Sequence, residues 1–247
     1  MLDLYEPRLF VPTYRAVTVG RWRVKMADLL LCKGYWSEAR LCRNMAGLLR
    51  RNEGGLEQTW MSTTPMEIES QELGCLHAHG HVVIMGMGMG WCTAATAMNP
   101  AVTTVTTVEL DPAVLELIAE LGVLDQLPPD ARAKIRTVNA NAHDYVPDRP
   151  VDLLMPDIWQ PLMNDGRVEE VQAMTANCKA PLVYFWGQEL EIARHARLWG
   201  YPLDRDGVRA TVARFGLPLL LPDDVDYPDL IARAANQWMG NDWFPPA

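Results

Sequence analysis

The chain has 247 residues, of which 49% are hydrophobic and 21% charged, and its formal net charge is −9. This composition is typical of a globular protein whose own core stabilises it, and no apolar run approaches the roughly 20 residues that span a bilayer. Residues 76–247 carry the negative charge, with 12 Lys and Arg against 22 Asp and Glu. Such a field disfavours binding to nucleic acid and favours a small or cationic substrate.

The N-terminus lacks the succession of basic, apolar and small residues found in a secretory signal, because Asp3 and Glu6 interrupt it and Arg8 follows. We therefore expect a cytoplasmic protein without a membrane partner. The five cysteines include no Cys-x-x-Cys pair, which argues against a disulfide framework and a zinc ribbon. Buried thiols are expected at Cys32, Cys42, Cys75, Cys92 and Cys178.

Residues 1–75 are predicted to form an N-terminal extension that serves the substrate or an oligomer, for which a homodimer is one candidate. Their first 20 residues indicate an irregular arm or a short strand pair. An amphipathic helix is predicted over 37–52, with Ser37 as its N-cap and Gly54-Gly55 after its end. Its apolar face would contain Cys42, Met45, Leu48 and Leu49.

A turn-rich strand region is predicted over 56–70 and a short helix over 71–78, with a domain boundary near residue 75. From residue 76 to residue 247, β-rich runs alternate with helix-length segments, the pattern of a parallel sheet with crossover helices. The expected fold class is therefore α/β, a Rossmann-like, doubly wound, mostly parallel sheet with a smaller N-terminal extension. Ligands bind such sheets outside the carboxyl ends of the strands.

The elements of this second part can be placed along the chain. Strands are predicted over 82–86, 104–109, 134–139, 151–155 and 181–186. Helices are predicted over 90–98, 112–121, 167–177, 188–198 and 227–239, the last followed by a Trp-Phe-Pro-Pro tail.

Three glycines at alternate positions follow the first of these strands, in the segment His81-Val-Val-Ile-Met-Gly-Met-Gly-Met-Gly-Trp91. Gly86, Gly88 and Gly90 have no Cβ atom that would hold a ligand away from the backbone, and the helix after them offers unpaired N–H groups. The alternative is a strand-loop-helix packing motif without a ligand.

An acid ends the next strand, in Val102-Thr-Thr-Val-Thr-Thr-Val-Glu-Leu-Asp111, so that Glu109 lies 19 residues beyond Gly90. An acid at this strand end is placed to accept both hydroxyls of a ribose. The glycine loop and the acid together predict a site for adenosine. A dinucleotide is disfavoured, because Trp91 stands where a Gly-x-Gly-x-x-Gly fingerprint has its last glycine.

These residues resemble the class I S-adenosylmethionine-dependent methyltransferase superfamily, and within it the spermidine synthase-like branch. Val108-Glu-Leu-Asp-Pro-Ala-Val114 is similar to the Val-Glu-Ile-Asp-Pro-x-Val of that branch. The resemblance implies that the loop glycines approach the methionine part of S-adenosyl-L-methionine and that Glu109, with Leu110 beside it, binds the ribose. Asn141 and Ala142 stand where the family has the Gly-Asp-Ala that contacts adenine.

The resemblance extends upstream of the glycine loop, but with departures. Gln58 and Glu69 are 11 residues apart, similar to a glutamine and a glutamate that flank the polyamine and cofactor sites of aminopropyltransferases. Glu67 replaces the tyrosine of that family's Tyr-His-Glu motif. In Pro156-Asp-Ile-Trp-Gln-Pro161, Gln160 replaces the second acid of a catalytic Asp-Ser-Ser-Asp-Pro.

Met89 likewise replaces the acid that aminopropyltransferases have in their glycine loop. The loss of these charges weakens the case for a diamine substrate more than the case for the fold.

Asp157, just beyond a predicted strand, could act as a base that takes a proton from an amine or a hydroxyl, or could cap a neighbouring helix. Trp159 and Trp91 could form aromatic walls for a sulfonium or a planar substrate, or belong to the core. His143 could face the substrate or lie in solvent, and Glu67 is a further substrate candidate. No metal is expected, because the alternating His77, His79 and His81 lack a carboxylate or thiolate at ligand spacing.

Three hypotheses follow for the function. The first is a small-molecule methyltransferase that uses S-adenosyl-L-methionine and transfers its methyl group in line to the acceptor. The second is an aminopropyl or related alkyl transferase that uses decarboxylated S-adenosylmethionine. The third is a nucleotide-binding module without catalytic activity.

Overall fold

The computed structural model describes residues 3–240, so the Trp-Phe-Pro-Pro tail lies outside the described residues. The N-terminal part forms a four-stranded antiparallel sheet in the order β1-β2-β3-β4. Its strands are β1 (Val17–Val19), β2 (Trp22–Cys32), β3 (Arg40–Arg51) and β4 (Glu57–Ser62). The sheet buries one face, on which Trp22, Val24 and Leu48 lie. Of the first 20 residues, for which an irregular arm or a short strand pair was predicted, residues 3–16 form no helix or strand and only β1 is a strand, paired with the start of β2.

The helix predicted over 37–52 is wrong, because this segment is the strand β3, paired with β2 on one side and β4 on the other. Asn44 has a positive φ of 52° and interrupts the alternation of the strand. Cys42 is buried before it and Met45 after it. These buried residues are three positions apart, a spacing that one face of a helix would also show, although the backbone here is extended.

The helix α1 (Pro65–Leu76) begins earlier than the sequence predicted, and residues 65–70 are therefore helical rather than part of a strand region. Pro65 occupies the first turn, where a missing N–H leaves no hydrogen bond unmade. Ten residues of α1 are buried, including glutamates and a glutamine. A helix buried on nearly all sides, with polar residues inside, has no amphipathic stripe from which its start could be predicted.

The second part contains the predicted parallel sheet, in the order β7-β6-β5-β8. Its strands are β5 (Gly80–Met85), β6 (Val102–Glu109), β7 (Ile135–Asn139) and β8 (Leu153–Pro156). Where the sequence predicted a further strand over 181–186, Val183 makes isolated parallel bridges to Leu154 and Leu219 and no regular strand forms. The architecture is the predicted Rossmann-like α/β fold with a smaller N-terminal extension.

The strand order reverses at β5, which has β6 on one side and β8 on the other. At such a switch point, loops leave the carboxyl ends of adjacent strands in opposite directions and open a crevice. This geometry places the glycine loop after β5, Glu109 at the end of β6 and Asp157 after β8 at one edge of the sheet.

The helices of this part largely match the sequence-based assignment. The predicted ones are α2 (Trp91–Met98), α3 (Pro112–Leu121), α5 (Arg167–Cys178), α6 (Gln188–Trp199) and α8 (Tyr227–Trp238). Two were not predicted, α4 (Pro129–Ala133) and α7 (Arg205–Phe215). Within residues 3–240, none of the helices has both the length and the apolar character needed to cross a membrane. The domain boundary near residue 75 remains a prediction.

Candidate functional site

A cavity of about 250 Å³ lies where the two sheets meet. Its floor is formed by the loops after the carboxyl ends of β5, β6 and β8, as well as by residues 141–143 beyond β7. Its roof is the antiparallel sheet, which contributes Trp22, Leu48, Arg50, Trp60 and Met61. The cavity therefore coincides with the switch point of the parallel sheet, the place where this class of fold binds its ligands.

The glycine loop requires glycine at two positions for steric reasons. Gly86 has φ +100°, and a Cβ there would lie 2.1 Å from the backbone oxygen of Asp157. Gly88 has φ +50°, and its Cβ would lie 2.3 Å from Sδ of Met61. Both glycines line the cavity. Gly90 is not among the cavity-lining residues; it precedes α2, and a Cβ there would lie 3.2 Å from Val123.

Glu109 lines the cavity and links the two loops on its floor. Its Oε2 accepts a hydrogen bond of 2.9 Å from the backbone N–H of Met87, and its Oε1 accepts one of 2.8 Å from the N–H of Asp111. Each carboxylate oxygen has a second lone pair, so both oxygens can still accept a ligand hydroxyl. Leu110 follows and is 68% exposed although it lines the cavity, which leaves an apolar surface for a planar group.

Asn141, Ala142 and His143 line the cavity next to this leucine. The side chain of Asn141 is engaged in its own turn: its Nδ2 donates to Asp144 over 2.7 Å, and its Oδ1 accepts from the N–H of His143 over 3.2 Å. The predicted adenine-side residues are thus in place, with an amide oxygen that has one lone pair left.

Two further carboxyl groups line the cavity, those of Asp157 and Glu67. Oδ2 of Asp157 accepts a hydrogen bond of 2.9 Å from Nε2 of Gln71. Burial raises the pKa of Asp157 to about 7, although Gln71 and Arg167 favour its charged form. Burial, assisted by the charge of Asp157, raises the pKa of Glu67 to about 8. Near neutral pH this pair can accept and release protons.

Trp159 forms a fixed wall of the cavity. Its Nε1 donates to Glu170 over 2.7 Å, and the guanidinium carbon of Arg167 lies 4.0 Å from its ring centroid. Arg167 is only 1% exposed and donates to the carbonyl oxygens of Trp186 and Pro161. Burial lowers the pKa of this arginine to about 10.

Besides Gly90, two predicted site residues are not among those that line the cavity, Glu69 and Gln58. Glu69 is buried, and its Oε2 accepts hydrogen bonds from the backbone N–H groups of Tyr35, Trp36 and Ser37. Its role is to hold this loop against α1. Gln58 is exposed on β4, in register with Arg50 of β3.

The cavity also contains residues that the sequence did not reveal, chiefly Arg50, Trp60 and Trp22. The pairing of β3 with β4 shifts between Leu48 and Leu49, which leaves Trp60 as an extra residue between paired neighbours. Such a bulge re-aims side chains, and here Trp60 and the following Met61 both line the cavity. This feature depends on strand pairing and could not be read from a segment interpreted as a helix.

The three alternating histidines are engaged separately. Nε2 of His77 lies 3.0 Å from Asp224, whereas the ring of His81 lies between the carbonyl of Pro150 and the hydroxyl of Thr106. Among the residues that the structure describes, no group of three or more potential ligand side chains could hold a metal ion.

Comparison of the sequence with protein-family models and with curated proteins gives no match. Solved structures match part of the chain. The glycopeptide N-methyltransferase MtfA complexed with S-adenosyl-L-methionine is 18% identical over 45% of this chain and 47% of its own, with a TM-score of 0.35. The DhpI-SAM-HEP complex is 14% identical over 45% and 46%, with a TM-score of 0.33.

A putative RNA methyltransferase, PH1948 from Pyrococcus horikoshii, is 15% identical over 50% of this chain and 60% of its own, with a TM-score of 0.36. The matched region is thus less than two thirds of each of these solved chains. Similarity at this level concerns the arrangement of the sheet and its helices, and the activity has to be argued from the cavity itself.

Proposed function

We propose that this protein is an S-adenosyl-L-methionine-dependent methyltransferase that acts on a small-molecule acceptor. The observation that carries the proposal is that one cavity is lined by the side-chain-free loop of Gly86 and Gly88, by Glu109 and by Asp157. The first three residues suit an adenosyl group, and the fourth is a base in the space that remains for an acceptor.

The cavity has a suitable group for each part of the cofactor. Glu109 can accept the ribose hydroxyls, the exposed Leu110 can pack on adenine, and Asn141 can accept from the adenine amino group. Trp91 lines the cavity at the start of α2, on the side of the glycine loop where the methionine part would lie. When bound, the cofactor supplies a methyl group made electrophilic by its positive sulfonium.

The acceptor would occupy the region of Asp157, Glu67 and Trp159. Its nucleophilic atom forms a bond to the methyl carbon while the carbon–sulfur bond breaks, and the bonding electrons go to sulfur. The proton that the nucleophile loses goes to Asp157. Orientation of the two partners provides most of the rate enhancement, up to about 7–11 kcal/mol in favourable cases.

Calorimetry with S-adenosyl-L-methionine and with its decarboxylated form tests the proposal. We expect the wild type to prefer the former, and we expect Glu109→Ala to weaken binding about tenfold or more because charge-assisted hydrogen bonds to the ribose are lost. Glu116→Ala, an exposed glutamate on α3, is the matched control. Equal affinity in wild type and Glu109→Ala would remove the ribose assignment.

Turnover is tested with a panel of small amines, phenols and carboxylates, with adenosylhomocysteine as the product. Asp157→Asn should bind the cofactor like the wild type but lose about 10²–10⁴-fold in turnover, the usual contribution of a general base. Binding without turnover across the panel would instead identify a nucleotide-binding module.

Aminopropyl transfer is the second candidate, and the carboxyl groups of Asp157 and Glu67 in the cavity favour it because they suit an amine. Met89 opposes it, since this residue is fully buried and brings no charge to the glycine loop. Release of methylthioadenosine from the decarboxylated cofactor, in place of adenosylhomocysteine, would identify this reaction.

A further inference from the structure

Arg50 is a cation on the roof of the cavity without an anionic partner. Among residues 3–240, its side chain has neither an ion pair nor a hydrogen bond, although it lines the cavity. Two carboxylates nearby already have donors of their own: Asp111 accepts from Arg21 over 2.7 Å and from Trp22 over 2.8 Å, and Glu109 accepts two backbone N–H groups. The positive charge of Arg50 is thus left for a ligand.

Two indole rings hold this guanidinium. Its central carbon lies 5.7 Å from the ring centroid of Trp22 and 5.2 Å from that of Trp60, and the two rings meet edge to face. Contact with aromatic faces stabilises a cation without using its N–H groups. The guanidinium is therefore oriented while its donors remain available.

The next residue of the same strand shows the contrast. Arg51 points to the outer face of the sheet, where Glu57 lies within ion-pair distance of it and also pairs with Arg23 and Lys25. On the outer face three cations share the carboxylate of Glu57, whereas on the inner face Arg50 has no carboxylate partner among the described residues. A cation held toward a cavity in this way suits a planar anion, because the guanidinium fork matches a carboxylate with two parallel hydrogen bonds.

Two groups that can take up the proton of an ammonium or carry a negative charge, Asp157 and Glu67, line the same cavity. Both carboxyl groups line the cavity, and an ammonium has three N–H groups to donate to them, whereas a hydroxyl has a single proton to donate. Burying an unmatched charge is costly, so a ligand of complementary charge is favoured over a neutral one.

We propose that the acceptor is an amino carboxylate, with its carboxylate bound by Arg50 and its amine directed at Asp157 and Glu67. This assignment rests on the proposed function and adds the substrate class to it. The ammonium of the acceptor first gives a proton to Asp157. The amine lone pair then forms the bond to the methyl carbon as the carbon–sulfur bond breaks, so that the product is an N-methylated amino acid with one proton transferred to Asp157.

Matched pairs of acceptors test the proposal on the full chain. Phenylalanine is compared with phenethylamine, leucine with isoamylamine and γ-aminobutyrate with propylamine, because the members of each pair differ by the carboxylate. Formation of adenosylhomocysteine gives kcat/KM, and calorimetry in the presence of adenosylhomocysteine gives binding. In at least one pair we expect the carboxylate to raise kcat/KM and affinity about tenfold or more, the usual effect of a charge-assisted hydrogen bond.

Variants on β3 assign this preference to Arg50. Arg50→Gln should lower kcat/KM for the preferred amino acid by about tenfold or more, mainly through KM, so that the ratio within the pair approaches one. Arg50→Lys keeps the charge but cannot form two parallel hydrogen bonds, so its kcat/KM for the amino acid should lie between those of the wild type and Arg50→Gln. Arg43→Gln, an exposed arginine of the same strand outside the cavity, should behave like the wild type.

Three results would overturn the proposal. One is the absence of any binding or turnover preference for the carboxylate in every pair, and another is an unchanged preference in Arg50→Gln. The third is a loss of affinity for S-adenosyl-L-methionine in Arg50→Gln as large as its loss for the acceptor, which would mean that Arg50 binds the cofactor. Failure of the proposed function itself looks different, because the wild type would then either not bind S-adenosyl-L-methionine or bind it without forming adenosylhomocysteine from any acceptor.

Discussion

Gly86 shows at the scale of one residue how the site depends on the backbone. The turn after β5 approaches Asp157 so closely that a Cβ would lie 2.1 Å from its carbonyl oxygen, at a φ of +100°. Gly166 before α5 has φ +80° but nothing within 4 Å of the position of its Cβ. The two glycines therefore separate the effect of φ from the effect of close approach.

We predict that Gly86→Ala lowers the free energy of unfolding by about 2–5 kcal/mol, the sum of backbone strain and a clash with main-chain atoms. Gly166→Ala should lower it by about 1–2 kcal/mol, because only the left-handed conformation is unfavourable for alanine. Denaturant titrations of both variants give the comparison. Equal losses of unfolding free energy in the two variants would show that the loop of Gly86 relaxes enough to relieve the clash.

The carboxyl pair makes a prediction for the pH dependence of turnover. Burial raises the pKa of Asp157 to about 7 and that of Glu67 to about 8, so both are largely protonated below these values. A base must be ionised, and kcat/KM should therefore rise as the pH increases from about 6 to about 8.5. Initial rates across this range, with an acceptor held in excess, measure the rise.

Variants of the pair provide the controls. Asp157→Asn should remove most of the rise together with the activity, whereas Glu67→Gln should leave a single ionisation near the pKa of about 7 of Asp157, because burial and not the charge of Glu67 raises that pKa. A profile that is flat in the wild type over this range would contradict the role of Asp157 as the base.

At the residue scale, the sequence revealed those parts of the site that are encoded locally. Gly86, Gly88 and Glu109 each adjoin a strand end in a regular strand-loop-helix unit, so that a few neighbouring residues determine where they lie. Arg50 and Trp60 reach the cavity only because β3 and β4 pair with a bulge and fold over the parallel sheet. Contacts that depend on pairing distant strands leave no short motif.

At the scale of elements, the same distinction separates the correct assignments from the wrong ones. α3 was predicted with the bounds that the structure shows, because Asp111 caps it, Pro112 begins it and Gly122 ends it. β3 was mistaken for a helix, because the left-handed Asn44 changes which residues are buried. Helix caps are short local motifs that the sequence shows. A left-handed residue inside a strand instead changes the spacing of the buried residues, and the new spacing resembles that of a helix.

Glu69 connects two elements, and its substitution should affect stability rather than cofactor binding. Its carboxylate accepts three backbone N–H groups of the loop between β2 and β3, at 2.8, 3.1 and 3.1 Å. We predict that Glu69→Gln lowers the free energy of unfolding by about 1–3 kcal/mol, because an amide leaves buried donors without a charged acceptor.

Thermal unfolding and cofactor calorimetry are both needed to check this prediction. Ser37→Ala, which removes one hydroxyl donor to Glu69, should cost less, about 0.5–1.5 kcal/mol. A loss of cofactor affinity in Glu69→Gln without a loss of stability would instead favour the family-based assignment of this residue to the cofactor site.

At the scale of the whole molecule, Glu189 joins three distant segments. This residue of α6 is fully buried, and its carboxylate accepts hydrogen bonds from the hydroxyls of Tyr35, Tyr184 and Tyr227, at 3.2, 2.9 and 2.8 Å. The tyrosines come from the loop of the antiparallel sheet, from the segment beside β8 and from α8. One carboxyl group thus helps to hold together parts of the chain that are far apart in sequence.

The buried carboxyl groups as a set determine how stability depends on pH. Burial raises the pKa of Glu189 and of Glu191 to about 7, as it does for the carboxyl pair in the cavity. The folded protein therefore holds protons that the unfolded chain has already released above its ordinary glutamate pKa. Stability from these groups is complete below that value and is lost as the pH rises through the pKa of the folded state.

We predict that the unfolding temperature of the wild type falls by several degrees between about pH 5 and about pH 8, with Glu189 alone accounting for a loss of the order of 3 kcal/mol. Glu189→Gln cannot ionise and should show a smaller fall over the same range. Asp148→Asn is the control, because Asp148 is exposed and Arg136 lowers its pKa, so that it titrates below this range in both states. Calorimetric scans at several pH values measure the unfolding temperature of each variant. An equally steep fall in Glu189→Gln and the wild type would contradict the prediction. It would mean that the three tyrosine hydroxyls keep this carboxyl group ionised in the folded protein.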